Sequence, residues 1–201
     1  MCVICVSLAG VPQPTKTLMK MMWDRNPHGA GYMFARSNYV YIRKGFMTFD
    51  DFYASVKNEH FKASDVVVYH FRISTQAGVN PEMTHPFILT DDLEKMKVLK
   101  ARVNMGVCHN GIIPMTSGRS REYSDTALFV ANYLSKMVRR PQDFITKPEL
   151  NATIEDMICS KMAVLDYAGN VSLIGRFVMD KTGLLFSNDY FMPFNLIGMA
   201  S

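Results

Sequence analysis

Met1-Cys2-Val3-Ile4-Cys5-Val6 opens the chain and sets a reactive side chain directly before an apolar run. The β-branched and apolar residues at positions 3–8 predict a buried strand, which ends before the prolines that follow. Because cysteine is small, we expect Met1 to be removed, which leaves Cys2 with a free α-amine beside its thiol. An α-amine titrates at about pKa 7.7–8.0 and a thiol near about 8.5, so this residue combines a base with a nucleophile. A chance cysteine at position two is the alternative.

Beyond the first strand, helical and extended patterns alternate along the chain. Helices are predicted at residues 15–25, in the segment capped by Thr48, at 126–137 and at 149–159. Strands are predicted at 31–36, 39–43, 65–71, in the segment that ends at Val107, and at 162–166, 171–174 and 184–187. The strand at 65–71 is apolar at nearly every position, so we expect both of its faces to be covered. Because helices bracket two groups of strands, this order predicts layers of helix and sheet in a single domain, residues 1–201.

Composition and charge argue against several classes of protein. The chain has 201 residues, 48% of them hydrophobic and 20% charged, which fits one globular domain with its own core. The net charge is +4, and the Lys and Arg residues are scattered along the chain, with Arg139-Arg140 as the only adjacent arginine pair. We therefore expect no nucleic-acid-binding surface. No apolar run reaches about 18 residues, so we expect no transmembrane helix. The apolar residues 3–9 lack a basic lead and precede Pro12, so we expect no signal peptide and a cytoplasmic protein.

The four cysteines, Cys2, Cys5, Cys108 and Cys159, are too few and too scattered for a disulfide framework. The spacing of Cys2 and Cys5, with Cys108-His109 as a second half, raises the alternative of a zinc site. Side chains alternate along a strand, so we expect Cys2 and Cys5 on opposite faces. A core position for Cys5, and no bound metal, are therefore favoured.

Three polar clusters fall where predicted strands end or helices begin. Arg72 lies in the first, residues 70–78, where it suits either the capture of a carboxylate or a structural role in the loop. Asn110-Gly111 lies in the second, where a side-chain amide and a backbone N–H either converge as an oxyanion hole or form a hairpin turn. Asp125 lies in the third, where it either caps a helix or takes part in a site.

Taken in this order, Cys2 and the three clusters resemble the class II glutamine amidotransferases, which are N-terminal nucleophile hydrolases. Cys2 stands at the nucleophile position of that family. The other similar segments, as this chain has them, are Asn26-Pro27-His28-Gly29-Ala30-Gly31, His70-Phe71-Arg72-Ile73-Ser74-Thr75, Thr84-His85-Pro86-Phe87, Cys108-His109-Asn110-Gly111, Ser124-Asp125-Thr126 and the run at 164–188. The resemblance spans nearly the whole chain, so we expect no fused synthase domain.

The resemblance implies an α+β fold, a four-layer αββα sandwich, and a defined reaction. The enzyme would cleave the side-chain amide of free L-glutamine through a γ-glutamyl thioester on Cys2, releasing glutamate and ammonia. The α-amine of Cys2 would act as the base through a water molecule. Asn110 and the Gly111 N–H would hold the oxyanion of the tetrahedral intermediate.

The resemblance also implies how the substrate is held. Arg72, with help from Thr75, would bind the α-carboxylate of glutamine, and Asp125 would bind its α-ammonium group. No metal or organic cofactor is expected. The acceptor of the ammonia is not identified, and a separate synthase or acceptor subunit is the implied partner.

Some residues depart from the family pattern. Phe71 and Ile73 replace a Thr and a Trp, Gln76-Ala77 stands in place of His-Gly, and His28 stands where Asp is common. These changes bear on the lid over the glutamine pocket and leave the nucleophile, the oxyanion donors and the charge pair in place. Two other functions stay open: a catalytically idle or regulatory amidotransferase-like module that binds a partner synthase, and an amide hydrolase of the same superfamily that acts on another acyl amide.

Overall fold

The computed structural model describes residues 1–74 and 78–192. It is a mixed α+β fold with two antiparallel sheets, which confirms the α+β prediction. The strands of the described residues are β1 Val3–Ser7, β2 Ala30–Arg36, β3 Tyr39–Phe46, β4 Val67–Phe71, β5 Phe87–Ile88, β6 Lys100–Val103, β7 Met105–Asn110, β8 Lys161–Asp166, β9 Val171–Ile174, β10 Val178–Met179 and β11 Leu185–Phe186. The α-helices are α1 Lys16–Arg25, α2 Phe49–Asn58, α3 Asp125–Phe129, α4 Ser135–Met137, α5 Asp143–Thr146 and α6 Pro148–Ile158. Short 3-10 turns cover Pro81–Met83 and Glu94–Lys97, and a π-helical turn covers Val130–Leu134.

Capping and turn residues explain where the first elements begin and end. Thr15 Oγ1 accepts a hydrogen bond of 3.2 Å from the Leu18 backbone N–H at the start of α1. Thr48 Oγ1 accepts one of 3.2 Å from the Asp51 N–H at the start of α2. Between β2 and β3, both residues of Ser37-Asn38 have positive φ, which is the geometry of a two-residue hairpin turn. The predicted helices and hairpin are therefore confirmed at these positions.

β1 lies inside the larger sheet, whose order is β10-β11-β1-β4-β2-β3-β6. Val3 on β1 is opposite Phe71 on β4, so the residue before β1 lies beside the residues that follow β4. The smaller sheet has the order β5-β7-β8-β9, in which β7 is paired on both sides. This topology brings the start of β1 and the ends of β4 and β7 into one region, where the candidate site lies.

Three clusters of buried apolar side chains hold these elements together. One joins the larger sheet to α1 and α2, and Phe52 is fully buried in it. The second lies between the two sheets and includes Ile4 and Cys108. The third packs the smaller sheet against α3 and α6 and includes Ile154. All five residues of β4 are buried, so the cover predicted for both faces of that strand is confirmed.

Two predicted elements differ from the structure. The strand expected to end at Val107 continues to Asn110, which is opposite Lys161 on β8. Pairing with β8 extends the strand, and such tertiary pairing overrides the local turn preference of Asn-Gly. The helix expected at 126–137 consists of α3, the π-helical turn and α4, because the hydrogen-bond spacing widens across Val130–Leu134.

Candidate active site

Cys2 lies where the start of β1 meets the end of β4. Its Sγ is 3.4 Å from the backbone nitrogen and 3.4 Å from the carbonyl oxygen of Ile73, so the thiol accepts one hydrogen bond and donates another. Asn188 Nδ2 donates to the Cys2 carbonyl at 2.7 Å, which ties residue 2 to the segment that follows β11. These contacts position the thiol, while the side chain stays partly exposed.

The environment of Cys2 keeps its thiol protonated. Burial raises the pKa of Cys2, and the Ile73 N–H, the positive amino terminus and Arg72 oppose the shift without cancelling it. The thiolate is the reactive form of cysteine, so a thiol with a raised pKa needs a base to remove its proton. An α-amine on Cys2 itself would stand directly beside the thiol in this role.

Asn110 ends β7 with its side chain buried. Its Nδ2 donates a hydrogen bond of 2.8 Å to Ser187 Oγ, and its Oδ1 has no partner among the described residues. Ser187 Oγ also accepts a bond of 2.9 Å from the Ile4 backbone N–H, so one hydroxyl links the end of β7 to β1. An amide nitrogen carries two hydrogens, and the second hydrogen of Asn110 Nδ2 is thus available to a ligand.

Gly111 occupies a position that only glycine fits. Its φ is +149°, and a Cβ at this residue would lie 2.4 Å from Ser160 Cβ. After Gly111 the next strand is β8, and α3 to α6 intervene, so Asn110-Gly111 does not connect a hairpin. The hairpin-turn interpretation is therefore wrong, and this pair marks a strand end packed against Ser160.

Asp125 is the first residue of α3, but its neighbour caps the helix. Ser124 Oγ accepts a hydrogen bond of 3.2 Å from the Ala127 N–H, so the capping role considered for Asp125 belongs to Ser124. Asp125 Oδ2 accepts from the Ile113 N–H at 2.8 Å, and Oδ1 accepts from the Thr126 N–H at 2.8 Å. Each carboxylate oxygen can accept more than one hydrogen bond, so the group both fixes the segment before it and can meet a cation.

Arg72 directly follows β4 and is 4% exposed. Its backbone is held on both sides: the Arg72 N–H donates to the Gly29 carbonyl at 2.8 Å, and the His28 N–H donates to the Arg72 carbonyl at 2.9 Å. Burial lowers the pKa of Arg72, and the charges of Cys2 and Asp125 oppose this shift. The guanidinium therefore lies within electrostatic reach of both residues.

Four of the six predicted site residues line one small pocket, which we call the charged pocket. Its volume is about 30 Å³, and its lining includes Cys2, Arg72, Gly111, Asp125 and His85. The four predicted residues come from separate segments: the start of β1, the end of β4, the end of β7 and the start of α3. Residues that carry a thiol, a guanidinium and a carboxylate thus line one space.

A second and larger cavity, which we call the apolar cavity, also opens at Cys2. Its volume is about 410 Å³, and its lining includes Met1, Cys2, Asn110, Gly111 and Ile112. Asn110 lines this cavity and not the charged pocket. Cys2 and Gly111 line both, so they stand between two spaces of different character.

Three further predictions concern Thr75, the core position of Cys5 and a possible metal site. Thr75, the sixth predicted site residue, lies outside the described residues. Cys5 is fully buried against α1 and α2, and Cys108 lies in the other cluster between the sheets, so the predicted core position of Cys5 is confirmed. Within residues 1–74 and 78–192, no group of three or more His, Cys, Asp or Glu side chains is arranged to hold a metal ion.

Two buried histidines, His85 and His109, line the charged pocket, and a third, His70, lies behind them. His70 Nε2 lies 2.9 Å from the His109 carbonyl oxygen, and His109 Nδ1 lies 2.9 Å from Thr126 Oγ1. The His70 and His85 rings are in contact, tilted by 34° with their centroids 4.2 Å apart. Burial lowers the pKa of His70 and of His109 to about 3, and it lowers the pKa of His85 well below the usual value. These rings are therefore neutral at neutral pH and leave the charge of the pocket to other residues.

Sequence reasoning assigned no role to three residues that support the site. Ser187 holds the Asn110 amide, and Asn188 holds the Cys2 carbonyl. His28 Nδ1 accepts a hydrogen bond of 2.9 Å from the Ser74 N–H, so a residue that departs from the family pattern supports the loop after β4. The signal available for Ser187-Asn188 was a pair of polar residues at the end of a predicted strand, which is where sites on sheets gather side chains.

Two comparisons with known proteins found no similar protein. No protein-family model matches the sequence, and no curated protein matches it. In the described part of the chain, every helix is too short or too polar to cross a membrane. The geometry around Cys2 is thus the basis on which a function is argued.

Proposed function

We propose that this protein is a glutamine amidotransferase of the N-terminal nucleophile type, which hydrolyses the side-chain amide of free L-glutamine. The observation that carries the proposal is the charged pocket, where Cys2, Arg72, Gly111 and Asp125 converge from four segments. A cation and an anion at one small pocket suit the α-carboxylate and α-ammonium groups of a free amino acid. The same pair would reject glutamine within a polypeptide, whose α-groups are neutral amides. In this proposal Thr75 assists Arg72.

The proposed reaction uses Cys2 as both nucleophile and base. Once Met1 is removed, the α-amine takes the thiol proton through a water molecule, and the sulfur attacks the amide carbon of glutamine. Asn110 Nδ2 and the Gly111 N–H hold the oxyanion that forms. The C–N bond then breaks, ammonia leaves with the proton, and water hydrolyses the γ-glutamyl thioester to glutamate. The raised pKa of the Cys2 thiol supports the need for a base at this point.

The packing of the fold supports the same assignment. Its apolar clusters lie between helices and the larger sheet, between the two sheets, and between the smaller sheet and helices. This order of helix and sheet layers fits a four-layer αββα sandwich of the N-terminal nucleophile hydrolase type, which we propose for this chain. We further propose that the protein acts in the cytoplasm without a cofactor and passes its ammonia to a separate synthase or acceptor subunit.

A glutamate-release assay combined with an intact mass on the same sample tests the proposal. Protein that begins at Cys2 should hydrolyse glutamine, and protein that retains Met1 should not, because the α-amine is then part of a peptide bond. Cys2→Ala should abolish turnover. The matched control Cys5→Ala should keep it at a small cost in stability, because it opens a small cavity in the core. Full activity with Met1 attached would contradict the base assignment, and activity of Cys2→Ala would contradict the nucleophile.

A catalytically idle module that binds a partner synthase is the second candidate. The size of the charged pocket favours it, because about 30 Å³ holds little more than one water molecule. Ligand pockets usually reach about 300 Å³ or more, so glutamine has to displace side chains in order to enter. Calorimetry separates the two candidates: heat of glutamine binding without glutamate release, in protein that begins at Cys2, would support the idle module.

A further inference from the structure

The apolar cavity opens directly onto Cys2, and its lining includes both proposed oxyanion donors, Asn110 and Gly111, but neither Arg72 nor Asp125. It shares Cys2, Ile73 and Gly111 with the charged pocket. The carbonyl carbon that Cys2 attacks carries an acyl chain, an oxygen and a nitrogen. When the acyl chain extends toward Arg72 and Asp125 in the charged pocket, the carbonyl group lies at the apolar cavity, where the oxygen meets Asn110 and Gly111 and the nitrogen has the remaining space of the cavity.

The position of Met1 supports this orientation. Met1 lines the apolar cavity and is bonded to the nitrogen of Cys2, so the α-amine formed when Met1 is removed lies at the same cavity. A leaving nitrogen has to receive a proton, and the α-amine is the group proposed to supply it. The proton donor and the leaving group are then on the same side of Cys2.

The size and lining of the apolar cavity indicate what it accepts. Its volume of about 410 Å³ lies in the range of small-molecule sites and far exceeds the space that ammonia requires. Ile73 and Ile112 give it apolar walls, and Ile112 is 47% exposed. Among the described lining residues, Lys161 is the one charged side chain, and its Nζ donates to the Ser187 carbonyl. Apolar walls favour an uncharged occupant, and a lysine in the wall disfavours a cationic one.

We propose that the apolar cavity binds a neutral apolar substituent on the amide nitrogen, so that the protein also hydrolyses N-alkyl γ-glutamyl amides. This inference rests on the proposed glutaminase function. The Cys2 sulfur forms a C–S bond with the γ-carbonyl carbon and the C–N bond breaks. The proton that left the thiol passes through the α-amine to the nitrogen, which departs as the free alkylamine. Water then cleaves the thioester to glutamate and restores the thiol, so the reaction balances with no other reactant.

Protein shown by intact mass to begin at Cys2 is assayed for glutamate release from L-glutamine, γ-glutamyl-n-butylamide and γ-glutamyl-2-aminoethylamide. We expect kcat/KM for the butylamide to exceed that for the cationic aminoethylamide at least tenfold. Ile112→Trp, which fills the cavity, should lower kcat/KM for the butylamide at least tenfold more than that for glutamine. The matched control is Ile145→Trp, at an exposed isoleucine of α5 that lines neither cavity, and it should leave the ratio unchanged.

The outcomes separate the inference from the proposed function. Hydrolysis of glutamine without hydrolysis of the butylamide would overturn the inference and leave the glutaminase proposal standing. Equal losses on both substrates in Ile112→Trp would also overturn it, because the cavity would then not discriminate the substituent. Should that variant not fold, the ratio of the two amides on the unmodified protein decides, and a ratio near one overturns the inference. Failure with all three substrates would overturn both proposals.

Discussion

Replacing Asn110 by alanine separates the part of this residue in the fold from its proposed part in the reaction. The side chain is 4% exposed, and its Nδ2 makes one hydrogen bond, to Ser187 Oγ at 2.8 Å. Ser187 keeps its bond from the Ile4 N–H, so the fold loses one hydrogen bond, worth about 0.5–1.5 kcal/mol. For a chain of this length, that loss lowers Tm by only a few degrees. The loss of an oxyanion donor raises the barrier by about 3–4 kcal/mol, which lowers kcat by about 100-fold to 1000-fold.

Steady-state glutamate release and thermal unfolding, measured on the same samples, report these two effects separately. Asn110→Ala should lower kcat strongly with little change in KM, because the bond is strongest in the transition state. Asn151→Ala is the matched control: Asn151 Nδ2 makes one hydrogen bond, to the Phe144 carbonyl at 3.1 Å, and its Oδ1 also lacks a partner among the described residues. The control should lower Tm by a similar amount and leave kcat unchanged. A rise in KM alone for Asn110→Ala, or equal losses of kcat in the two variants, would refute the oxyanion role.

Three further predictions concern the charge pair, the glycine and the buried histidines. Arg72→Ala and Asp125→Ala should each lower kcat/KM for glutamine well over tenfold, since an unpaired charge costs on the order of 2–5 kcal/mol of binding. Full activity of either variant would show that Arg72 and Asp125 do not bind glutamine as a pair. Gly111→Ala should lower Tm and kcat, because the added Cβ would lie 2.4 Å from Ser160 Cβ. The control is Gly10→Ala, at a residue that also has positive φ but has no described atom within 4 Å of the added Cβ. This variant should lower Tm only slightly and keep kcat. Equal effects of these two changes would show that the close contact is irrelevant. Burial lowers the pKa of His70 to about 3, whereas in the unfolded chain it is about 6.5. Below pH 6.5 the unfolded state therefore binds a proton that the native state does not bind. The free energy of unfolding decreases as the pH is lowered through this range. At pH 5 the contribution of His70 amounts to about 2 kcal/mol, and the buried His85 and His109 add losses of the same sign. Between pH 7 and pH 5, denaturant unfolding of His70→Gln should therefore show a loss about 2 kcal/mol smaller than that of the unmodified protein, and an identical pH dependence of the two proteins would disprove it.

The elements that sequence alone predicts are those whose signal is local. The cap at Thr48 and the apolar spacing after it are sufficient to predict α2. β5 has only two residues, too few for an alternating pattern, and it exists because it pairs with β7. The π-helical turn leaves the apolar stripe of 126–137 intact, so its wider hydrogen-bond spacing has no counterpart in the sequence pattern.

The candidate site was predictable in its residue types and not in its contacts. Local patterns place Cys2 before a strand and Asp125 at a helix start, but their approach from distant parts of the chain followed only from the family resemblance. The Asn-Gly pair is misleading on its own, because it has a strong hairpin preference and pairing with β8 decides its conformation. The bond between Ser187 and Asn110 depends on how β11 registers against β1, which is a tertiary property that residue identities do not reveal.

The place of β1 between β4 and β11 has a consequence for biosynthesis. β1 is the first strand of the described residues, and one of its two neighbours in the sheet is β11, the last strand among them. Asn188, which follows β11, donates a hydrogen bond to the Cys2 carbonyl. On the ribosome, one edge of β1 therefore remains unpaired until residues 185–188 have emerged. Contacts between such distant segments are slow to form, because a long loop has to close before they are made. Until that point Cys2 lacks the hydrogen bond from Asn188 that the completed fold gives it.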